Sequence, residues 1–548
     1  MRLESTQSVL MRFKVEQGRA KMVGMGAMWA VVVVLQVITM LTGVTGQGYY
    51  EVVLPNAGIA TMHAAVTHLG SVVLLDRTNV GVSQLNLPDG VCRDNPEDRA
   101  TTHDCTAHSA LYTPGSNAIR PLFVFTDTWC SSGQFDANGQ LVQTGGDADG
   151  LMKIRTFAPC GDGNCDWVEQ GTQLQNGRWY ASNQILPDGT QIVVGGRSVQ
   201  TVEYVPANGR GTFFLDLLAQ TNDAQMDNLY PFVHLLPNNQ LFIFANRDSI
   251  LYDWQSNTVA KNFPTIPGEP RNYPSAGSSV LLPLTAEGGF SWPEVLVCGG
   301  AQYGAYMSGN MADASGNCGR IAPLADGAGW AMEDLPHKRT MGDMVLLPTR
   351  DVLIINGAGN GAQGWGGASN PVQAPELYKP NNAAGTRFST LAYTDIPRVY
   401  HSTANLLQDG RILLAGSNTH QFYTLTGNLP TELRVETFSP PYFGANPSGF
   451  TTAPGALAYG QDFTAVVKAT APTFIELNLV NAPFVTHSYA MGQRLLQLAV
   501  TAPADNGAGD YNVFSTAPPS QQVAPAGYYM LFPVADGIVG YASWVKIG

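Results

Sequence analysis

The feature that most constrains the fold of this chain is a short unit that recurs along it. Each copy has a short strand, a tight turn and a second strand rich in β-branched residues, as in YASNQILPDGTQIVVGG. Seven copies, three clear and four weaker, begin at Cys130, Tyr180, His401, His63, Tyr230, Tyr273 and Met341. Their spacing is that of propeller blades, and a blade cannot bury its faces alone. The repeat therefore predicts an all-β fold with a seven-bladed β-propeller over residues 47–440.

The two ends of the chain differ from the repeats. Residues 441–548 contain alternating strands such as FIELNLV but no further copy, which predicts an immunoglobulin-like β-sandwich after the kelch-like propeller. Residues 1–46 combine basic residues up to Lys21 with an apolar run from Met22 to Val44. That pattern predicts a signal peptide. An uncleaved signal anchor is the alternative, because the run approaches the length of a membrane span.

Charge and composition narrow the classes of partner. The formal net charge is −13, and only 13% of the residues are charged. Nucleic acids need Lys and Arg against their phosphates, so we expect no nucleic-acid partner. No second apolar segment matches the first in length, so we expect no membrane association once the signal is cleaved. We expect the mature protein to be a secreted, extracellular monomer, with the cell wall as one candidate location.

The cysteine count fits an oxidising compartment. Six of the seven cysteines fall into short-range pairs, namely Cys92 with Cys105, Cys160 with Cys165, and Cys298 with Cys318. We expect these pairs to be disulfides. Cys130 is left over. An unpaired thiol in such a compartment is either a buried small hydrophobe or a residue with a chemical role.

The register of the repeat supplies candidates for that role. The position eight residues before the first turn residue holds Cys130, Tyr180, Tyr230 and His401. Equivalent positions of different blades point toward the same level of the central axis, so we expect these side chains to converge, with Tyr400 beside His401. Met341 shares the register, and the plain interpretation is that such residues only cap inner strands. A thiol, phenols and an imidazole are, however, ligand types that suit copper.

Four motifs carry a resemblance to a known family. They are TDTWCSSG, RWYASN, RVYHSTANLL and VTHSYAMGQR, which contain Cys130, Tyr180, His401 and His487. With these motifs in this order, the chain resembles the copper radical oxidases of the glyoxal oxidase and galactose oxidase family, from about residue 50 to its end. The resemblance implies a seven-bladed propeller, a following sandwich domain that supplies the last histidine, and one copper ion per chain.

The resemblance also implies a role for each matched residue. Cys130 and Tyr180 form a thioether-linked tyrosyl radical cofactor, and Tyr180 is a copper ligand. Tyr400 is the axial ligand and catalytic base. His401 and His487 are the equatorial imidazole ligands. One copper carries one electron while the oxidation removes two, so the second equivalent is stored on the cross-linked tyrosine.

Two features bear on the substrate. Galactose oxidases stack a tryptophan on the cross-linked tyrosine from a position just after the blade's glycine pair. Here Gly195 and Gly196 are followed by Arg197 and Ser198. The stretch between residue 47 and the first repeat is also too short for their sugar-binding domain. We therefore expect small aldehydes of the glyoxal or methylglyoxal type to be oxidised, as hydrates, to carboxylic acids while O₂ becomes H₂O₂.

Two alternatives stay open. One is galactose oxidase-like oxidation of primary alcohols, or of terminal sugars of cell-wall polysaccharide, to aldehydes. The other is a non-catalytic secreted propeller that serves as a binding scaffold. No nicotinamide or flavin site is indicated. The glycine-rich GNGAQGWGG at 359–367 lacks a strand–GxGxxG–helix context, and we interpret it as a propeller loop.

Overall fold

The structure, a computed structural model, describes residues 46–444 and 447–548. The signal segment lies outside these residues up to position 45, so the choice between signal peptide and anchor stays a prediction. Among the described residues, no helix is both long and apolar enough to cross a membrane. From Tyr49 to Gly548 the chain forms one compact unit.

Seven antiparallel units of four strands, here called sheets 1 to 7, form between Tyr49 and Ser439. Their strands are, for sheet 1, His63–Val66, Val72–Leu75, Ser109–Thr113 and Ala118–Leu122; for sheet 2, Ser132–Phe135, Leu141–Thr144, Lys153–Phe157 and Trp167–Gln173; for sheet 3, Ser182–Ile185, Gln191–Val194, Thr201–Val205 and Phe213–Phe214; for sheet 4, Phe232–Leu235, Leu241–Ala245, Asp248–Asp253 and Thr258–Asn262; for sheet 5, Gly277–Leu281, Val295–Gly299, Asn317–Ile321 and Ala331–Asp334; for sheet 6, Asp343–Leu346, Val352–Ile355, Glu376–Tyr378 and Phe388–Thr390; and for sheet 7, Ser402–Leu406, Ile412–Gly416, Val435–Ser439 and Tyr49–Leu54.

The first strand named for each sheet is its inner strand, and the inner strands form a ring. Successive inner strands contact one another, and that of sheet 7 contacts that of sheet 1. Between sheets 1 and 2 the contact runs through strand Phe484–Thr486 of the C-terminal region. Strand Tyr49–Leu54 pairs with Val435–Ser439 and completes sheet 7. The all-β prediction is confirmed, and we interpret this ring of sheets as the seven-bladed propeller.

The recurring unit of the sequence is the inner hairpin of each sheet. In sheet 3, strand Ser182–Ile185 pairs with Gln191–Val194. The turn between them closes through Asp188, whose carboxylate accepts the backbone N–H of Thr190 at 3.0 Å. Gly189 has φ of 81°, a left-handed conformation that glycine adopts without steric cost. The copy in sheet 5 is weak in sequence because a longer connection separates its two strands.

Buried Arg–Glu pairs recur in three sheets and hold the segments that precede the inner strands. The pairs are Arg178–Glu203, Arg339–Glu376 and Arg398–Glu436. Each arginine also donates to a backbone carbonyl of the second strand or the residue after it, as Arg398 does to Gly416 at 2.8 Å. A buried charge without a partner is costly, so each pair fixes the path of the chain just before a turn.

The C-terminal region forms two further sheets. Sheet 8 contains Leu284–Thr285, Arg494–Gln497, Ile475–Asn481, Gly527–Ala535, Ser543–Ile547 and Ala456–Leu457, with Ile538–Val539 paired to its longest strand. Sheet 9 contains Gly449–Thr452, Asp462–Lys468, Asp510–Thr516 and Ala504–Gly507. Buried residues of both sheets, such as Leu479 and Val513, belong to one apolar cluster, as a sandwich requires. The predicted sandwich is confirmed, while the domain boundaries at 46 and 440 stay predictions.

The remaining elements are short. In the described part of the chain, α-helices span Asp216–Gln220 and Ala305–Ser308, 3₁₀ turns span Thr78–Val80, Pro88–Gly90 and Ala148–Gly150, and small ladders pair Arg93–Asp94 with His103–Asp104 and Ala358–Gly361 with Ala368–Pro371. Disulfides join Cys92 to Cys105, Cys160 to Cys165, and Cys298 to Cys318. All three predicted disulfides are confirmed, and Cys130 is the free cysteine.

Candidate active site

Six turn residues share one place in the fold, just before the inner strands of their sheets. They are Cys130, Tyr180, Tyr230, Ala276, Met341 and His401, with φ of 52°, 68°, 50°, 42°, 60° and 65°. Such left-handed residues are uncommon outside glycine and persist where neighbouring contacts hold them. The N–H of Tyr180 donates to the carbonyl of Cys130 at 2.9 Å, and that of Tyr230 to the carbonyl of Tyr180 at 2.9 Å. The turns of successive sheets are thereby tied together.

His487 reaches the same place from the C-terminal region. It forms, with Ser488, the two-residue turn between strands Phe484–Thr486 and Tyr489–Met491. Their φ values of 45° and 69° are the left-handed pair that such tight hairpin turns require. The sandwich therefore sends a hairpin into the propeller and presents His487 at its tip.

The hairpin is anchored on inner strands on two sides of the ring. Thr486 pairs with His63 of sheet 1. The hydroxyl of Tyr489 donates to the carbonyl of Val233 in sheet 4 at 2.8 Å and accepts its N–H at 2.6 Å. These contacts fix the depth at which His487 sits.

Cys130, His401 and His487 form one buried cluster. Their candidate ligand atoms all lie within 4.8 Å of one another. The Cys130 sulfur lies 3.2 Å from Nε2 of His487, and the imidazole rings of His401 and His487 lie 4.8 Å apart between centroids. The structure thus brings together residues separated by more than 350 positions in the chain.

The two imidazoles are neutral and offer lone pairs. Burial lowers the pKa of both His401 and His487 well below the ordinary value. Neither ring nitrogen of His401 has a hydrogen-bond partner among the residues that the structure describes. Nδ1 of His487 lies 2.6 Å from the hydroxyl of Thr486, which can accept a hydrogen bond from Nδ1–H and leave the Nε2 lone pair on the side of the Cys130 sulfur. Buried, partner-free imidazole nitrogens are a costly arrangement unless something else binds them.

The phenols of Tyr180, Tyr230, Tyr273 and Tyr400 lie beside this cluster, and the Tyr230 ring is 5.0 Å from that of His487 between centroids. The hydroxyl of Tyr273 is 3.2 Å from that of Tyr180 and 3.2 Å from that of Tyr400. The ring of Tyr400 stacks on His401 at 3.8 Å between centroids. Burial raises the pKa of Tyr180 and of Tyr400 well above the ordinary value. A phenolate at either position therefore needs a cation close by.

The donor set fits copper. Two neutral imidazoles and two phenol oxygens are nitrogen and oxygen ligands that suit Cu(II), and the imidazoles also tolerate Cu(I). Every predicted site residue, namely Cys130, Tyr180, Tyr400, His401 and His487, lies in or against this cluster. The roles assigned to them stay predictions.

Two further residues of the site, Tyr273 and Trp179, do not occupy the register position of the repeat. Tyr273 opens the weak copy of the repeat, but the left-handed place of that copy is held by Ala276, so the register does not point to Tyr273. Trp179 lies against Tyr180 at 4.8 Å between ring centroids. The sequence has no tryptophan just after Gly196, and the indole beside Tyr180 comes instead from Trp179, which directly precedes it. Arg197, found in that later position, lies 5.0 Å from the Trp179 ring.

Comparison with known families and structures covers both parts of the chain. The model described as glyoxal oxidase N-terminus matches residues 62–442. The model described as galactose oxidase-like, early set domain, matches residues 447–547. A solved fungal alcohol oxidase of the AA5 family, in complex with copper, has a TM-score of 0.71 at 18% identity. That alignment covers 92% of this chain and 100% of the other, and it shows a shared fold.

Related sequences extend over most of the chain. The aldehyde oxidase GLOX of Vitis pseudoreticulata is 51% identical over 509 residues, 91% of this chain and 97% of that protein. The aldehyde oxidase GLOX1 of Arabidopsis thaliana is 40% identical over 521 residues, 91% and 84% of the two chains. A galactose oxidase of Gibberella zeae is 24% identical over 450 residues, 77% and 61% of the two chains. With the first family model spanning most of its length and these relatives beside it, the chain belongs to the glyoxal oxidase family.

Proposed function

We propose that this protein is a secreted copper radical oxidase of small aldehydes. The substrate is the aldehyde hydrate, RCH(OH)₂, which reacts with O₂ to give the acid RCOOH and H₂O₂. Two electrons and two protons leave the hydrate, and both pairs appear in the peroxide. No nicotinamide, flavin or nucleic acid takes part.

One observation carries the proposal: two imidazoles, one of them without a hydrogen-bond partner among the described residues at either ring nitrogen, meet an unpaired thiol and two phenols in one buried cluster. His401 and His487 supply the imidazoles, Cys130 the thiol, and Tyr180 and Tyr400 the phenols. A scaffold propeller has no need of this set at its axis. The relatives that are 51% and 40% identical are named aldehyde oxidases, which supports the reaction class.

Copper would be held by His401, His487, Tyr180 and Tyr400. When bound, it supplies one of the two oxidising equivalents and favours the phenolate forms of its tyrosine ligands. The protein chain itself supplies the environment in which the metal works. Buried walls exclude water from the cluster, and the hairpin and the turns hold the ligands at fixed positions.

Tyr400 is the proposed base. Its hydroxyl oxygen accepts the proton of the hydrate, which is the step that a positioned phenolate can perform. Tyr273 lies 3.2 Å from both Tyr400 and Tyr180, so its O–H can donate to whichever oxygen carries the negative charge. Tyr273 thereby positions the two tyrosines without taking the proton itself.

Cys130 and Tyr180 form the proposed thioether. The sulfur bonds to a ring carbon beside the phenol oxygen. The thiol and the ring each lose one hydrogen, and O₂ accepts both electrons. Cys130 is free and fully buried, and the Tyr180 N–H holds its backbone carbonyl at 2.9 Å. A sulfur substituent spreads an unpaired electron over a larger system, which favours storage of the second equivalent on Tyr180.

Small aldehydes are the proposed substrate class, rather than primary alcohols or terminal sugars. The relatives that match at high identity are named aldehyde oxidases, while the galactose oxidase is 24% identical. Secretion is supported by three disulfides, which persist in oxidising compartments. The monomeric state and the cell-wall location stay predictions.

The test is peroxide release by copper-loaded protein across glyoxal, methylglyoxal and galactose. We expect fast release with the aldehydes, and a broad visible absorption in the oxidised protein. His487→Ala is expected to remove one nitrogen from the EPR hyperfine pattern of bound copper. Met341→Leu, at the same turn of sheet 6, is the matched control and keeps the wild-type spectrum. A colourless protein without peroxide release on any of these substrates would favour the scaffold alternative.

A further inference from the structure

A line of aromatic rings leads from Tyr180 to the protein surface. The ring centroid of Trp179 lies 4.8 Å from Tyr180, that of Trp129 lies 5.0 Å from Trp179, and that of Trp365 lies 5.3 Å from Trp129. Tyr180 is 4% exposed, whereas Trp365 is 42% exposed. The proposed reaction uses none of the three indoles, so their alignment calls for a separate explanation.

The outer end of the line is set by the glycine-rich loop at 359–367. The loop begins within strand Ala358–Gly361, and a hydrogen bond from Ala362 N–H to the Gly367 carbonyl at 2.9 Å closes it. The N–H of Gly366, whose φ is 61°, donates to the carbonyl of Thr419 at 2.9 Å. Trp365 stacks on Trp129 with an interplanar angle of 14°. The loop thus holds an exposed indole in contact with a partly buried one.

Two arginines lie over the indoles. The guanidinium carbon of Arg77 is 4.7 Å from the Trp129 centroid and 5.3 Å from that of Trp365, and Arg197 is 5.0 Å from Trp179. A cation over a neutral indole is attractive. An indole that has lost an electron is itself a cation, which a guanidinium at this distance repels. The two arginines therefore disfavour an electron vacancy that rests on these indoles.

We propose that Trp179, Trp129 and Trp365 form an electron relay through which a one-electron oxidant at the surface generates the Tyr180 radical. The oxidant is an outer-sphere one-electron acceptor, such as a metal complex, that cannot reach the buried phenol. One electron leaves the phenolate of Tyr180, passes through the indoles, and reduces the acceptor at Trp365 by one electron. No bond breaks, because the phenolate becomes a neutral phenoxyl. The relay rests on the proposed function, which makes Tyr180 the radical site.

The test starts from protein that holds Cu(II) and an unoxidised Tyr180, and it follows the appearance of the radical absorption after mixing with hexachloroiridate(IV). Phenylalanine keeps an aromatic ring but is hard to oxidise, while tyrosine keeps an oxidisable one. We expect Trp129→Phe and Trp365→Phe to slow radical formation by about tenfold or more, and Trp129→Tyr to restore most of the rate. Trp292→Phe, at an exposed indole outside the line, is the control and keeps the wild-type rate.

Two results would overturn the relay in different ways. If the wild-type protein forms no radical with this oxidant, the proposed function fails and the relay with it. If the wild type forms the radical and both phenylalanine variants match its rate or exceed it, the oxidant reaches Tyr180 directly and the relay alone is wrong. Intact mass and copper content of each variant, measured first, show that its site is assembled. If Trp129→Phe does not fold, the rate of radical formation in Trp365→Phe, a variant at the exposed ring, decides whether the relay exists.

Discussion

The propeller and the C-terminal sandwich contribute to the same cluster in different ways. The propeller places Cys130, Tyr180 and His401 through one repeated left-handed turn, so the register of the repeat fixes all three. The sandwich places His487 through a single hairpin that enters the ring between sheets 1 and 2. The comparison shows that the repeat of the propeller fixes the positions of three site residues. The proposed ligand set is complete only when the hairpin of the sandwich has docked.

The largest expected effect tests the chemistry on the propeller side. Tyr400→Phe keeps the ring that stacks on His401 and deletes the oxygen that accepts the proton. We expect turnover to fall by about 10²–10⁴-fold, the usual contribution of a positioned base. The Cys130–Tyr180 link is expected to form normally, which separates this effect from misfolding. Steady-state peroxide release measures the fall, and full activity in Tyr400→Phe would remove Tyr400 from the mechanism.

The next prediction tests whether the buried Arg–Glu pairs of the propeller stabilise the turns that carry the site residues. Arg398 and Glu436 pair in the interior, with side chains 1% and 3% exposed. Arg398→Met leaves Glu436 buried without its cation, so we expect the free energy of unfolding to fall by about 3–5 kcal/mol. Lys338→Met is the control, because that lysine and Asp313 are 56% and 58% exposed. We expect a loss of about 1 kcal/mol or less there.

Denaturant titration of both variants measures this contrast. Equal losses in Arg398→Met and Lys338→Met would show that the buried pair does not hold the turn before Tyr400. A loss confined to Arg398→Met would strengthen the view that the propeller positions its side of the site through the repeat.

The smallest effect tests the hairpin side. The hydroxyl of Thr486 lies 2.6 Å from Nδ1 of His487 and can hold the proton on Nδ1 by a hydrogen bond, which leaves the Nε2 lone pair for the metal. Thr486→Val keeps the shape and removes the hydroxyl. We expect copper affinity to fall by about 10–100-fold, as for other partners that orient a metal-binding histidine. Competition with a copper chelator measures the change, and unaltered affinity would mean that the hairpin positions His487 without help from Thr486.

Much of this arrangement could be predicted from the sequence, because the repeat makes distant residues equivalent. The shared register alone points to Cys130, Tyr180 and His401. Tyr400 and His487 take their roles only from a family resemblance, because the register places Tyr400 merely as the neighbour of His401 and no periodicity reaches His487 in another domain. The register does not predict Tyr273. Tyr273 lies three residues before Ala276, which holds the left-handed position of that copy, and its side chain still enters the site. The repeat pattern of the sequence does not show which site such a side chain reaches in the folded protein.

The aromatic line shows the same limit. Trp129 and Trp179 directly precede Cys130 and Tyr180, so their closeness to the site follows from the sequence. Trp365 lies in a loop whose sequence predicts only a connection within the propeller. Its stacking on Trp129 depends on how that loop folds back across the ring, which is a tertiary property without a local signal.

The measurement that tests the central claim most directly is the mass of the Cys130–Tyr180 unit after exposure to copper and O₂. The account predicts that the mature protein loses two hydrogens beyond those of the three disulfides, and that one cross-linked peptide contains both residues. Cys130→Ser, treated identically, is expected to show no such loss. A Cys130 peptide that alkylates freely in the copper-treated wild type, with Tyr180 in a separate unmodified peptide, would contradict the account.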